Sequence, residues 1–214
     1  MWDLSRFVQT LVYFESIPIF STVQKMFAGS PPPPTPEAGV IFDFRNGSVP
    51  LQQIWGALDD VVMGGVSASS LYPEAQGALF SGVVSTANSG GFTSVRTRNF
   101  EPPLNLSQYR GLELRVKGDG NRYKFLIRDD NSWDSVAYAH TFDTSKGAWT
   151  TVQIPFATLV PVFRAKTVKN ASPLKTDCIR SLQLMLSKFE YDGMLNPHFE
   201  PGAFGLLIQS IGVY

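Results

Sequence analysis

The stretch that decides the fold is Leu112–Arg128, LELRVKGDGNRYKFLIR. Apolar side chains occupy alternate positions in each half of it: Leu112, Leu114 and Val116, then Tyr123, Phe125 and Ile127. A period of two is that of a β-strand with one buried face. The centre, Gly118–Asn121, consists of residues that tolerate positive φ, so the sequence predicts an antiparallel hairpin.

Similar strand-like runs recur along the chain, separated by Gly, Pro, Asn and Asp. They are Ile41–Phe44, Ala78–Ser85, Phe92–Thr97, Val136–Phe142, Thr150–Ile154, Leu182–Leu186 and Phe204–Ile211. About nine short strands at this spacing are typical of a sandwich or barrel and not of a parallel α/β sheet. We therefore expect a single all-β domain over residues 40–214.

The N-terminal segment, residues 1–29, has helical periodicity instead. Its apolar residues recur at steps of two to four positions: Trp2, Leu4, Phe7, Val8, Leu11, Val12 and Phe14. Pro18 interrupts a helix, so the pattern predicts one or two short amphipathic helices. Residues 30–39 then contain five prolines and predict a stiff polyproline-type spacer before the β domain.

The predicted helix has two possible roles. It can pack against its own domain, or it can be a docking helix that presents an apolar face to a partner or a membrane interface through Trp2, Phe7, Leu11 and Phe14. Its basic side chains are balanced by Asp3 and Glu15, so a protein groove is favoured over a lipid surface.

Composition excludes several classes of function. Lys+Arg and Asp+Glu are equal at 18 each, so the chain lacks the net positive charge that favours nucleic-acid binding. The one cysteine, Cys178, excludes an intramolecular disulfide and fits a reducing compartment. The N-terminus lacks the pattern of a cleaved signal peptide, and no run reaches the ~18 apolar residues of a membrane-spanning helix.

Signatures of catalysis are absent from the sequence. One cysteine and two histidines cannot supply the usual spacing of zinc ligands, and the glycine clusters do not match a phosphate-binding loop. The adjacent pairs Asp59-Asp60 and Asp129-Asp130 place their side chains on opposite faces of an extended chain, which favours turn and hydrogen-bonding roles over acid–base catalysis. We predict a protein without enzymatic activity, metal or cofactor.

The segment Trp55–Ser67, WGALDDVVMGGVS, is the first candidate site. As a structural corner, Asp60 or Ser67 would bond neighbouring backbone while glycines turn the chain. As a binding loop, Trp55 and Met63 would offer an adaptable apolar contact. The candidate residues are Trp55, Asp59, Asp60, Met63, Gly64, Gly65 and Ser67.

The second candidate site is the segment Gly90–Arg98, where a glycine turn leads into a strand. Arg96 and Arg98 share one face of this strand and could pair with Asp59, Asp60 or Asp119, either as a structural ion pair or to recognise a carboxylate or a sugar hydroxyl. Phe92, Arg96 and Asp119 complete the set of candidate residues.

Six stretches, taken in order, match one known family. They are Asp60–Ser67, Gly90–Arg96, Tyr109–Leu112, Lys117–Tyr123, Trp149–Phe156 and Gly205–Ile208. Over residues 41–214 the chain resembles the complex I intermediate-associated protein 30 family. The resemblance implies a galactose-binding-like jelly-roll β-sandwich that acts as a non-enzymatic assembly factor, or chaperone, for respiratory complex I or, in photosynthetic lineages, for photosystem components.

The resemblance also implies partners and a location. The expected partners are subunits or assembly intermediates of a membrane electron-transfer complex, bound by a monomer that lies peripherally on the cytoplasmic, stromal or matrix side. Two departures from the family pattern stand at Pro161–Ala165 and in an extra loop, Phe189–Pro201. The alternative is a carbohydrate-binding module, in which Trp133 and Tyr138 would contact the sugar.

Overall fold

The structure is a computed structural model that describes residues 4–14, 39–45, 47, 49–132 and 134–214. The predictions for Trp2, for Trp133 and for the segment 15–38, which contains most of the proline-rich spacer, lie outside the described residues. Helix α1 spans Leu4–Tyr13, inside the predicted helical segment, and a short helix α2 spans Leu51–Ile54.

Strands make up most of the described chain. Their bounds are β1 Val40–Asp43, β2 Trp55–Ala57, β3 Ala68–Glu74, β4 Gly77–Val84, β5 Phe92–Thr97, β6 Gly111–Lys117, β7 Arg122–Arg128, β8 Ala137–Asp143, β9 Trp149–Pro155, β10 Val160–Phe163, β11 Lys166–Thr167, β12 Ser181–Ser187 and β13 Gly202–Val213. Short 3-10 helices lie at Asp60–Met63, Ala87–Ser89 and Phe156–Thr158.

The strands form two antiparallel sheets, which confirms the predicted β-sandwich. One sheet has six strands in the order β3-β4-β13-β6-β9, with β1 also paired to β13. The other has seven strands in the order β11-β10-β8-β7-β12-β5-β2. Each predicted strand-like run overlaps one of these strands.

The predicted hairpin in the deciding stretch is wrong. Strand β6 pairs with β13 and β9 in the six-stranded sheet, whereas β7 pairs with β8 and β12 in the seven-stranded sheet. The segment Gly118–Asn121 therefore carries the chain from one sheet to the other. In both strands the apolar residues at alternate positions lie in the core between the sheets. Two strands joined by a hairpin would show the same alternation, so the sequence pattern does not distinguish a hairpin from a crossing between sheets.

The core lies between the two sheets and is rich in aromatic side chains. Phe80 and Phe204 of the six-stranded sheet have ring centroids 4.9 Å apart in an edge-on arrangement, and Phe80 also contacts Tyr123 of the opposite sheet. Tyr123 and Phe80 are both fully buried. Aromatic pairs of this geometry add stabilisation beyond the area that they remove from water.

Strands β2, β3, β10 and β11 do not appear among the runs that the sequence indicated. Strand β3, ASSLYPE, is polar and contains Pro73, and it lies at an edge of the six-stranded sheet. Edge strands tolerate proline and need no continuous apolar face, which is why their sequence pattern is weak.

Candidate functional site

Asp60 is a buried hydrogen-bond acceptor that joins three segments of backbone. Its Oδ1 accepts the Ser67 amide at 2.9 Å, and its Oδ2 accepts the Ser67 hydroxyl at 2.6 Å and the Gly91 amide at 2.8 Å. The carboxylate is 1% exposed. This is the structural corner that the sequence predicted as one of two roles for the Trp55–Ser67 segment.

Gly64 and Gly65 of this segment serve the same corner. Gly64 has φ +89°, a left-handed conformation that residues with a Cβ rarely adopt. A Cβ on Gly65 would overlap the Asp60 side chain. Gly65 therefore leaves the space that the buried carboxylate occupies.

Asp59 is buried on the other side of the same turn and bridges the two sheets. It accepts the Ser69 hydroxyl at 2.6 Å and the Ser69 amide at 2.9 Å from β3, and the Ser94 amide at 3.1 Å from β5. Arg6 of α1 also donates to Asp59, from Nη2 to Oδ2 at 3.0 Å, and forms an ion pair with it. Burial raises the pKa of Asp59 to about 6, although these donors and Arg6 act to lower it.

The raised pKa of Asp59 predicts that stability falls as the pH rises from 4.5 to 7. At pH 4.5 the folded protein still holds a proton that the unfolded chain, with a pKa of about 3.9, has mostly lost, and the folded protein releases it near pH 6. Relative to Asp59→Asn, the wild type should lose about 2 kcal/mol of unfolding free energy, measured by urea titration at the two pH values. An Asp59 that ionises normally would leave this difference constant.

Helix α1 lies against its own domain, the alternative to the docking role. Besides the Arg6–Asp59 pair, Arg6 Nη1 donates to the Ser67 carbonyl at 3.0 Å, and the Tyr13 hydroxyl donates to the Gln52 carbonyl at 3.2 Å. The Arg98 guanidinium lies 4.2 Å from the Tyr13 ring centroid, and that of Arg96 lies 5.8 Å from the Phe14 ring centroid. Partner binding through Phe7, Leu11 and Phe14 stays a prediction.

The remaining residues of the first candidate site differ sharply in exposure. Trp55 is 4% exposed and packs edge-on against Phe42, so the structure places it in the core and not on the contact surface that we predicted. Met63 is 72% exposed. Ser67 is fully buried in its bonds to Asp60. Among the candidate residues of this segment, Met63 is the exposed side chain, and Val66, which was not a candidate, is 39% exposed beside it.

The second candidate segment is also largely internal. Arg96 is 3% exposed, and its Nε donates to the Ser181 hydroxyl and its Nη2 to Asn99. Asp119 accepts the Tyr123 hydroxyl at 3.0 Å and the Gly205 amide at 2.8 Å, so it joins the two sheets. The predicted pairing of Arg96 or Arg98 with Asp59 is replaced by the Arg6 pair.

A cavity of about 770 Å³ lies over the outer face of the seven-stranded sheet. Its floor is apolar and comes from β7, β8, β10 and β12: Leu126, Ala137, Val162 and Met185. Phe7 and Leu11 of α1, Met63 and Phe92 line it from the side of the acidic turn. This volume lies in the range of small-molecule and peptide pockets.

Two cations of β7 border this cavity. Lys124 donates from Nζ to the carbonyls of Phe189 and Glu190 and lies 4.6 Å from the Tyr191 ring centroid, while burial lowers its pKa to about 8. Arg128 donates from Nη1 to Gln183 at 2.7 Å. Burial, and then the neighbouring charge of Arg96, lowers the pKa of Arg128 to about 9.

The loop that departs from the family pattern, Phe189–Pro201, forms another wall of the cavity. Phe189 and Tyr191 line it. Buried Asn196 fixes the loop to the sheet by donating from Nδ2 to the carbonyls of Arg122 and Ser187, each at 3.0 Å. Met194 and Leu195, at 67% and 64% exposure, remain on its outer side.

Sequence reasoning missed Lys124, Arg128, Ser135 and Gln183 as lining residues of the cavity. In β7 the polar positions were taken to face solvent. A usable signal was Leu126, an apolar residue between Lys124 and Arg128 on the face that alternation predicts to be polar. An apolar residue there indicates that this outer face is covered.

The described residues, 4–14, 39–45, 47, 49–132 and 134–214, contain neither a metal-binding cluster nor a membrane-spanning helix. They include no group of three or more His, Cys, Asp or Glu side chains arranged to hold a metal ion. In the same part of the chain, no helix has the length and apolar character needed to cross a membrane.

Comparison with known sequences identifies one family. Residues 42–208 match the family described as Complex I intermediate-associated protein 30. No curated protein matches the chain.

Comparison with solved structures identifies related folds. A family 11 carbohydrate-binding module from Clostridium thermocellum, solved with a β-1,3-1,4-mixed-linked tetrasaccharide, superposes with a TM-score of 0.56 at 17% identity, covering 82% of this chain and 94% of that one. The family 11 module of the cellulase Lic26A-Cel5E of Clostridium thermocellum superposes with a TM-score of 0.55 at 15% identity, covering 80% of this chain and 91% of that one. An agarase, AgWH50C, superposes with a TM-score of 0.54 at 8% identity, and the match covers 83% of this chain but 26% of the agarase. These likenesses support the galactose-binding-like sandwich.

Proposed function

This chain belongs to the complex I intermediate-associated protein 30 family, and on that ground we propose that it is a non-enzymatic assembly factor for a membrane electron-transfer complex. Family membership over residues 42–208 is the observation that carries the proposal. The client is an assembly intermediate of a complex I-like NADH dehydrogenase or of a photosystem. The chain acts as a monomer, peripherally, on the cytoplasmic, stromal or matrix side of the membrane.

The side chains in the candidate sites support a binding role over a catalytic one. Asp59 and Asp60 are buried, and their carboxylate oxygens are held by amide, hydroxyl and guanidinium donors. A general base needs access to the proton that it removes. Neither carboxylate offers that access, so both stabilise the fold.

The client-binding surface that we propose is the apolar rim around the cavity. It consists of Met63 on the 3-10 turn and Phe189, Met194 and Leu195 on the loop, all exposed. Methionine adapts to varied partner surfaces because its side chain is flexible and polarisable. Clustered exposed apolar side chains are a common mark of a protein-binding site.

Affinity purification from membranes tests this function. Tagged full-length protein should recover subunits of a complex I-like enzyme or a photosystem, identified by mass spectrometry, and should migrate on native gels with intermediates smaller than the finished complex. Met63→Ser combined with Met194→Ser should weaken client binding about thirtyfold, since each loses an apolar contact of roughly 1 kcal/mol.

The matched control is Tyr72→Ser on β3. Tyr72 is 51% exposed and lies on the six-stranded sheet, away from the rim. Recovery with this variant should equal that of the wild type. Absence of electron-transfer subunits from every preparation would reject the assembly role.

Carbohydrate binding is a second candidate because the cavity over the outer face of the seven-stranded sheet is lined by both an aromatic ring, Tyr191, and an amide, Gln183. Sugar sites combine stacking on a ring with hydrogen bonds to hydroxyls. Binding on a glycan array that is lost in Tyr191→Ala, with no recovery of membrane subunits, would favour this candidate.

A further inference from the structure

Two polar atoms at the cavity lack a partner in the described part of the chain. They are Nε of Arg128 and the hydroxyl oxygen of Ser135, both buried. Both residues line the cavity. An unpaired buried donor costs roughly 1–3 kcal/mol, so such atoms are normally satisfied by water or by a ligand. Nε–H can only donate, and the hydroxyl can donate as well, so the ligand atom that suits both is an acceptor oxygen.

The charges near Arg128 indicate that this oxygen is anionic. Its neighbours are the cation of Arg96 and the carboxylate of Asp134. Asp134 is already engaged, because Arg164 donates to its Oδ2 from both Nε and Nη2. A second carboxylate beside Arg128 would relieve the repulsion from Arg96 and form charge-assisted bonds, which are about twice as strong as neutral ones.

The other two cations in the lining, Arg164 and Lys124, do not compete for the anion, and Arg164 is already paired with Asp134. Lys124 Nζ is held by the carbonyls of Phe189 and Glu190 and lies over the Tyr191 ring. Its donors therefore fix the loop to the sheet. Arg128 remains as the cation with a donor aimed at no other group in the described residues.

The surface around Arg128 indicates the chemistry of the rest of the ligand. The floor beside it is apolar, formed by Leu126, Ala137, Val162 and Met185. The apolar surface continues beyond the cavity onto the loop, because Phe189 pairs with Leu195 in an isolated β-bridge and Leu195 is exposed. A ligand that follows this surface is longer than a single small molecule.

We propose that the cavity binds an extended peptide segment of the client, in which an aspartate or glutamate seats on Arg128 and Ser135 and flanking apolar side chains occupy the floor and the rim. This proposal rests on the proposed function and names the chemistry of the partner.

A display library of random heptapeptides, selected on the immobilised full-length protein, tests the proposal. The wild type should enrich sequences with one acidic residue between apolar ones, and Arg128→Gln should not. A selected peptide, labelled for fluorescence polarisation, should bind Arg128→Gln about tenfold more weakly. Replacement of its acidic residue by the amide should weaken binding to the wild type by a similar factor.

Two further variants separate binding from folding. Ser135→Ala removes a hydroxyl without a partner in the described chain, so it should keep the thermal midpoint of the wild type and bind the peptide several-fold more weakly. Arg115→Gln removes an equal charge on the six-stranded sheet, where Arg115 bonds Thr151, and should bind normally.

Several results would overturn the proposal. Enrichment of peptides without an acidic residue, no enrichment at all, or equal affinity for Arg128→Gln would each do so. Competition by octanoate at the affinity of the peptide would assign the site to small carboxylates instead. Recovery of electron-transfer subunits by Arg128→Gln at the wild-type level would reject this inference and leave the assembly role intact. Selection of acidic peptides by the wild type without recovery of any such subunit would support peptide binding and reject the assembly role.

Discussion

Replacing Asp60 by alanine should destabilise the folded protein by roughly 3–5 kcal/mol. The substitution leaves the buried amides of Ser67 and Gly91 without their carboxylate acceptor, and it leaves the Ser67 hydroxyl with only its longer bond to the Ser85 carbonyl at 3.2 Å. It also opens the space that Gly65 leaves for the carboxylate. Chemical denaturation monitored by tryptophan fluorescence measures the change as a shift in midpoint at constant slope.

The control for this prediction is Asp130→Ala. Asp130 is exposed and accepts a bond from the amide of Ser132 two residues away, a local turn interaction. Its loss should cost within about 1 kcal/mol. If Asp60→Ala and Asp130→Ala were equally mild, Asp60 could not hold the corner.

Replacing Gly82 by alanine should destabilise the protein by about 3 kcal/mol or more, because the new methyl group meets backbone and not a movable side chain. Gly82 lies in β4, opposite Ser69 of β3. An ideal Cβ there would overlap the carbonyl oxygen of Ala68 and the Cα of Ser69. Relief would require β3 and β4 to separate, and β3 carries the hydroxyl and amide that bond Asp59.

Gly205→Ala is the matched control for Gly82→Ala. Gly205 lies in the neighbouring strand β13, and the nearest atom to an added Cβ is Leu79 Cδ1 at 3.7 Å, an ordinary contact. Its substitution should change stability by less than about 1 kcal/mol, since alanine fits and also reduces the freedom of the unfolded chain. Equal thermal midpoints for the two variants would contradict the close approach at Gly82.

The sequence was sufficient to predict the sandwich because β6 alternates apolar and polar residues strictly, and because short strand-like runs separated by turn residues recur along the chain. It could not assign β6 and β7 to different sheets, since a corner and a hairpin use the same turn residues at Gly118–Asn121. Pairing depends on distant strands: β6 meets residues 149–155 and 207–213, and β7 meets residues 138–143 and 181–186. Such non-local contacts leave no local pattern.

The candidate site was predicted less well than the fold. The motif Asp60–Ser67 was singled out for its unusual composition. The structure explains that composition by a buried carboxylate, by Gly65, which leaves room for it, and by Gly64, which adopts a left-handed φ. Motifs of this kind reflect the demands of folding as much as those of binding. The cavity residues Arg128 and Ser135 attracted no attention, because they are distant in sequence from that motif and become neighbours of it through the sheet.

The position of β13 has a consequence for biosynthesis. This strand occupies the middle of the six-stranded sheet, with β4 along its first half and β1 and β6 along its second. A nascent chain therefore cannot close that sheet until residues 202–213 have left the ribosome exit tunnel. Until then β4 and β6 each have an open edge, and an open strand edge is where a partly folded chain can pair with another chain.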